Sequence, residues 1–560
     1  MRRLTILGVL IGAGLLAAGC SAGAGSGTGK TGSSSTASNT VLTISNENGA
    51  TWTCAFSPFN SSDTLVSVGF VYEPLVYVNP LQSGATTPML ATAWKWSNGN
   101  KTLTFTIRSG VKWNDGTPMT AADVAYTFNL IHTADKGALD LNGVWSVLSN
   151  VTATGANTVT MNFSQSAVPF FYFIADQTPI VPQHVWSKVA DPATFTDTSP
   201  VGTGPYMVNP CTKDDITYTP NKYFWQPGEP RIKKVQYPAF LTNDAANEQL
   251  ANGQAQWGAQ YIPSIQTYYA SKNNNYHYWF PPILNVTLIP NLTDPQLSNV
   301  KVREAMSYAI DRSKVSDIGE SGYEPPANQT GVVTPTFNNW ESSSAVSAWG
   351  NGYDPAKAKQ LLESAGYHLG SNGIMVNAAG KQLAFTVINI GGYSDWVASM
   401  QVVQQQLKAV GIQLTPDNLT NTALLNDLQL GKFQLGYYEQ QTFGPGPYYE
   451  LANWLYSPNT APIGKQAATN FERYSNSTTD SLFRQYAAAT DSATQQSIMG
   501  QLEQVMVTQV PIIPVTEGVD WYQYDTGSFS GWPTASNPYA QPPAWAYPDN
   551  EQVLLHLQPK

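Results

Sequence analysis

The sequence predicts a mixed α/β body large enough for two or more lobes, each with its own core. Three observations lead there. Strand-like and helix-like segments alternate along the whole body. The helices carry legible caps and apolar stripes. About 520 residues follow a low-complexity N-terminal stretch, more than one core usually serves.

The chain opens with Arg2 and Arg3, followed by an apolar run from Leu4 to Leu16. That run is shorter than the roughly 20 residues a bilayer span needs and suits the apolar region of a secretory signal, with residues 1–19 as the signal peptide. It ends in LLAAGC, and the segment resembles a bacterial lipobox, in which Cys20 is acylated after cleavage. Residues 21–40 are almost all Ser, Gly, Thr and Ala. They bury too little apolar surface to order themselves and read as a tether spanning roughly 25 Å.

Loss of Arg2 and Arg3 from 28 basic residues leaves 26 Lys+Arg against 38 Asp+Glu, a net charge of −12. An acidic body without a basic run argues against nucleic acid as a partner. Aromatic residues are plentiful (16 Trp, 29 Tyr, 20 Phe) while charged residues make up 12%, a composition suited to holding a polar ligand by stacking and hydrogen bonds. Besides Cys20, Cys54 and Cys211 are the remaining cysteines. They are either a disulfide, which an oxidising compartment permits, or two separate thiols.

Within the body, residues 94–108 read as a hairpin. Trp94 and Trp96 alternate with polar neighbours, Asn98-Gly99 supplies the turn, and Leu103, Phe105 and Ile107 form one buried face. Thr120 and Asp123 form a capping pair for a helix through Leu130. Val302 to Ile310 read as another helix. Asp354 caps a third, with Pro355 in its first turn, Gly366 at its end, and Ala358, Leu361, Leu362 and Ala365 on one face. Met400, Val403, Leu407 and Val410 form the stripe of a fourth that stops at Gly411.

The five histidines (His132, His184, His277, His368 and His556) are scattered, and the nearest approach to a nucleophile elbow, Gly319-Glu320-Ser321-Gly322-Tyr323, has Tyr323 where the second glycine belongs. VGTGPY at 201–206 lacks the Lys and Ser/Thr of a phosphate loop. No catalytic residue, metal site or cofactor is expected.

The segment LATAWKWSNGNKTLTFTIRSGVKWNDGTPMTAADVAYTF, residues 90–128, closely resembles the signature of extracellular solute-binding proteins of family 5, which serve oligopeptide, dipeptide, nickel and oligosaccharide ABC importers. FVYEPLVYV (70–78), VGTGPYMV (201–208), NKYFWQPGEPRIKKVQY (221–237), VKVREAMSYAIDRSKV (300–315), YDPAKAKQLLESAGY (353–367) and LKAVGIQL (407–414) follow in the family's order. The resemblance implies a two-lobed, type II periplasmic-binding-protein-like fold with a hinge. Lobe Ia takes 41–80, 200–285 and 515–560, an inserted lobe Ib takes 81–199, and lobe II takes 286–514. The chain then crosses between lobes near 285 and 515, and Cys54 and Cys211 share lobe Ia, which favours their pairing.

By that resemblance the protein is a monomeric, lipid-anchored extracytoplasmic binding subunit that hands its solute to ABC permease subunits at the outer face of the cell membrane. An oligopeptide-class solute is expected first and a cello-oligosaccharide-like one second; a sensor or adhesive surface lipoprotein without transport is the rival of another class. Ligand contacts are expected from 49–60, 437–457 and 515–527, on Trp52, Phe56, Asn60, Tyr438, Phe443, Tyr448, Trp454, Trp521 and Tyr522. Peptide-binding relatives place an aspartate shortly before a proline at a strand–helix junction to meet the ligand's amino group. The matching span here, Glu439 to Pro447, holds no aspartate, which puts free peptides in doubt, and GWPTASNPYAQPP (531–543) is similar to the oligosaccharide-binding relatives.

Overall fold

A computed structural model describes residues 41–45, 51–59, 65–133, 147–240, 243–350, 352–439 and 444–560. The signal segment, Cys20, the tether, Asn60 and Phe443 lie outside the described residues.

Three sheets organise the body. The first has seven strands, in the order Tyr276–Tyr278, Gln523–Asp525, Trp257–Gly258, Val41–Ser45, Lys234–Pro238, Asp215–Pro220 and Tyr206–Cys211. Val41–Ser45 pairs in parallel with Lys234–Pro238 and with Trp257–Gly258. The second is a four-stranded antiparallel sheet from Ala91–Ser97, Thr102–Ile107, Thr158–Phe163 and Leu148–Gly155. The third has five strands in the order Gln413–Leu419, Ala384–Ile390, Leu435–Glu439, Pro282–Pro290 and Ile513–Val519. Its first three strands are parallel, and the last two join antiparallel.

Each sheet has its own apolar core. Leu42, Ile44, Tyr218 and Val235 belong to the first, Leu103, Phe105, Val124 and Met161 to the second, and Val286, Leu288, Val387 and Leu435 to the third. Burying them removes apolar surface from water at roughly 25 cal/mol per Å², so each body has its own drive to fold.

Local chemistry fixes the elements. Asn98 and Gly99 both take positive φ in the hairpin turn, and Leu103, Phe105 and Ile107 point inward. Asp123 Oδ2 accepts hydrogen bonds from Thr120 N (2.8 Å) and Oγ1 (3.0 Å), tying down the start of helix Ala121–Thr133. Asp354 accepts from Lys357 N at 2.9 Å at the start of helix Pro355–Ser364. Gly411, at φ +90°, ends the Ser394–Ala409 helix region in a conformation that side chains resist.

Cys54 and Cys211 form a disulfide, with Cα atoms 5.8 Å apart. It ties the segment after Val41–Ser45 to the edge strand of the same sheet.

The chain passes between the first and third sheets at 279–281 and at 520–522. The crossings expected near 285 and 515 fall inside strands Pro282–Pro290 and Ile513–Val519, which belong wholly to the third sheet. The two strands pair with each other, so the crossings lie side by side. Among the described residues, no helix is long and apolar enough to cross a membrane.

Candidate ligand-binding cleft

Strand direction locates the cleft. The three parallel strands of the third sheet end at Ile390, Leu419 and Glu439. Pairing of Val286 with Glu439, and of Pro282 with Val519, brings the start of one crossing strand and the end of the other to that same edge. In the first sheet, Ser45 and Gly258 are neighbouring strand ends, and Gly258 pairs with Gln523 just after the second crossing. The carboxyl ends of parallel strands in both bodies therefore border the crossings, the place where open α/β sheets hold ligands.

At the crossings the two bodies meet through aromatic rings. Trp521 lies 4.8 Å from Phe280 and 5.2 Å from Tyr261, measured between ring centroids, and Phe280 lies 5.5 Å from Tyr323. Tyr261 belongs to the first body, Tyr323 to the third, and Phe280 and Trp521 to the two crossings. Hydrogen bonds add direction: Tyr261 Oη and Ser321 Oγ are 2.8 Å apart, and Ile265 N donates to Tyr323 Oη at 3.0 Å.

A second contact lies between the four-stranded body and the third. Tyr449, on helix Pro447–Leu455, sits edge-on to Tyr172 (5.5 Å) and Phe173 (5.3 Å), both on Phe171–Ala175. Ser166 Oγ also donates to Ala487 O.

Between these contacts the polar groups are amides and carboxyls. Gln523 Nε2 donates to Gln260 O at 2.9 Å. Asp520, 1% exposed, accepts from Gln541 Nε2 at 3.2 Å through Oδ2, while its Oδ1 has no partner. Gln541 N donates to Asp549 Oδ1 at 2.7 Å, which also accepts from Tyr77 Oη at 2.7 Å.

Burial, then the negative charges of Asp549 and Glu439, pushes the Asp520 carboxyl well above its ordinary range. On the third body, burial and then Asp395 push Glu320 up to about 8, while a hydrogen bond from Ser399 Oγ (2.5 Å) pulls the other way. Glu324 and Asp395 are raised by burial as well. A carboxyl in low dielectric holds its proton unless a cation or several donors compensate.

Seven of the nine residues read from sequence lie among the described residues. Trp521 lies between the bodies. Phe56, Trp454 and Tyr522 have no exposed surface and are enclosed in cores. Apolar neighbours cover them in this arrangement. Trp52 donates its indole N–H to Tyr237 O at 2.7 Å and packs on the Tyr237 ring. Tyr438, 8% exposed, meets Trp396 edge-on, and Tyr448 stacks on Tyr486 at 4.5 Å. Tyr261, Phe280, Tyr323, Tyr449, Asp520 and Gln541 escaped the sequence reading, although Tyr449 and Asp520 lie inside stretches it singled out. Among the described residues, no group of three or more His, Cys, Asp or Glu is placed to hold a metal ion.

Comparison with known proteins agrees with this geometry. Residues 85–462 match the family model described as bacterial extracellular solute-binding proteins, family 5 middle. The glutathione-binding protein GsiB of Escherichia coli (strain K12) is 27% identical over 437 residues, covering 76% of this chain and 80% of that protein. A periplasmic oligopeptide-binding protein of an ABC transporter from Thermotoga maritima is 25% identical with a TM-score of 0.87, covering 93% of this chain and all of that one. Its mannohexaose-bound form gives a TM-score of 0.83 at 25% identity, covering 93% and 99%. The chain belongs to family 5 of the bacterial extracellular solute-binding proteins, and is an extracytoplasmic substrate-binding component of an ABC importer, not an enzyme.

Proposed function

We propose that this protein captures an uncharged, oligosaccharide-class solute between its first and third bodies, and that Cys20 anchors it by lipid to the outer face of the cell membrane. One observation carries the choice of solute. The segments bordering the crossings, 258–262, 278–281, 391–395, 419–421 and 519–523 with Glu439, contain no lysine or arginine. The carboxylate of a free peptide would lie near Asp520 and Glu439 without a counter-charge, and an unpaired buried ion costs several kcal/mol. Sugar hydroxyls need donors and acceptors without net charge. Gln541, Asp520, Tyr261 and Trp521 supply them on one side, and Tyr393 and Glu439 on the other. Similarity to a protein crystallised with mannohexaose supports the same reading.

An oligopeptide-class solute is the second reading. Glutathione-binding relatives favour it, and Asp520 Oδ1 is free to take an ammonium group. In either case the crossings at 279–281 and 520–522 act as the hinge, and the ligand favours closure by as much as it prefers the closed form.

A thermal-shift screen of manno-, cello- and xylo-oligosaccharides beside di- to pentapeptides tests this. A bound sugar should raise Tm by several degrees, increasingly with concentration. Peptides that stabilise while every sugar stays silent would reverse the choice. Cys20→Ser should move the protein from the membrane fraction to the soluble one; unchanged fractionation would dismiss the anchor.

A further inference from the structure

A cavity of about 400 Å³ lies within the third body alone, lined by residues of 310–353 and by Glu517. Its size falls in the range of small-molecule sites and far exceeds a bare ion. Glu517, on strand Ile513–Val519, is 1% exposed. Its Oε1 accepts from Thr334 N (2.9 Å) and Oγ1 (3.0 Å), and its Oε2 has no partner. Glu341 lines the same space, and its negative charge adds to burial in raising Glu517 to about 8.

The surrounding charges leave this carboxyl pair without a cation. Among the described residues lining the cavity, the cation is Arg312. Its N–H groups are bonded to neutral oxygens: Pro514 O, Ser307 O and Oγ, Gly352 O and Gln329 Oε1. Asp311 is paired with Lys314 at 3.4 Å. The carboxyl of Glu450 feels the Glu517 charge as well. A buried carboxylate oxygen without a donor, facing further negative charge, is stabilised by a positively charged hydrogen-bond donor. The apolar wall is Trp349, stacked on Tyr308 at 4.3 Å, with the half-exposed ring of Tyr353 beside it.

We propose that this cavity is a second binding site, for a small organic amine whose ammonium group lies between Glu517 and Glu341 and whose hydrocarbon body rests along Trp349. The site belongs to one body, so it does not depend on closure of the cleft or on the solute held there. A bound ammonium ionises Glu517, so binding near neutral pH releases a proton to solvent.

Calorimetric titration of the full chain at pH 7.5 tests this with 1,4-diaminobutane and with 1,4-butanediol, a neutral molecule of the same length. The diamine should bind, with a heat that changes between buffers of different ionisation enthalpy, and the diol should give no binding heat. Glu517→Gln should weaken the diamine at least tenfold, and Glu341→Gln, nearer the surface and safer for folding, several-fold. Both variants should keep the thermal shift caused by the cleft solute. No diamine binding, equal binding of the diol, or wild-type affinity in Glu341→Gln overturns the proposal, whatever the cleft proves to hold.

Discussion

Two of the contacts between the bodies are built on different physics. At the crossings, two chain segments, four rings and two hydrogen bonds join the first and third bodies. At the other contact, Tyr449 sits edge-on to Tyr172 and Phe173, and the Ser166 hydroxyl donates to Ala487 O nearby. No crossing segment runs through the second contact, so opening can break it. The first must hold through any rotation, because the chain runs through it twice. The difference assigns one contact as pivot and the other as gate.

Acid groups sharpen the contrast. Glu320 stands in the same turn as Ser321 and Tyr323, Glu324 follows directly, and Asp520 precedes Trp521. The pivot is therefore underlain by carboxyls that prefer their protons. In an unfolded chain Glu320 loses its proton near the ordinary value of 4.5, while in the fold it keeps it up to about 8. Over that window the folded state binds more protons, so stability falls as pH rises from about 4.5 to about 8 and then levels off. Glu73, Glu503 and Asp549, each pushed up to about 7 chiefly by burial, act in the same direction. One fully retained shift of this size amounts to about 3–5 kcal/mol. Denaturant unfolding at pH 5 and pH 8 should show the protein more stable at pH 5 by several kcal/mol, with the difference reduced in Glu320→Gln. A stability that rises with pH would contradict the buried-acid description of the pivot.

The gate comes next in size. Tyr449→Ala removes the edge-on ring pairs with Tyr172 and Phe173 of the other body, together with one to Tyr448 of its own, each worth about 0.5–1.5 kcal/mol beyond the area they bury. If the pairs with Tyr172 and Phe173 exist in the closed form alone, solute affinity should fall about tenfold or more, since each 1.4 kcal/mol is a decade. Only the pair with Tyr448 lies within one body, so Tm without solute should fall only slightly. Calorimetry of the solute identified by the thermal screen, with a melt of the free protein, checks both. Unchanged affinity with a lowered free-protein Tm would make Tyr449 ordinary core and remove the gate.

The pivot and gate also show where sequence stops being informative. Hairpin 91–107 and helix 355–364 are legible because a period of two, a period near 3.6 and capping side chains act over a few residues. The cleft aromatics are not. Trp521 and Tyr522 are adjacent, and alternation along extended chain sends them to opposite sides. Nothing local says which side is core, yet Trp521 reaches between bodies while Tyr522 stacks on Tyr524 at 4.7 Å inside one. Tyr448 and Tyr449 repeat the problem on a helix, one ring stacking on Tyr486 in its own body and its neighbour crossing to another. Three-dimensional neighbours decide such cases, and for Trp521 and Tyr449 those neighbours lie hundreds of positions away.

The smallest predicted effect separates pivot from latch. Tyr323→Phe keeps every ring contact and deletes the acceptor for Ile265 N, a net loss of about 0.5–1.5 kcal/mol. A pivot is present in open and closed forms alike, so the loss should lower stability by that amount and leave solute affinity within about twofold. A latch made on closure alone would lower affinity by up to about tenfold and leave the stability of the free protein unchanged. Measured together with Tyr449→Ala, the two variants should give opposite patterns, stability moving in one and affinity in the other. If both lower affinity alike, the two contacts close together and neither is an axis.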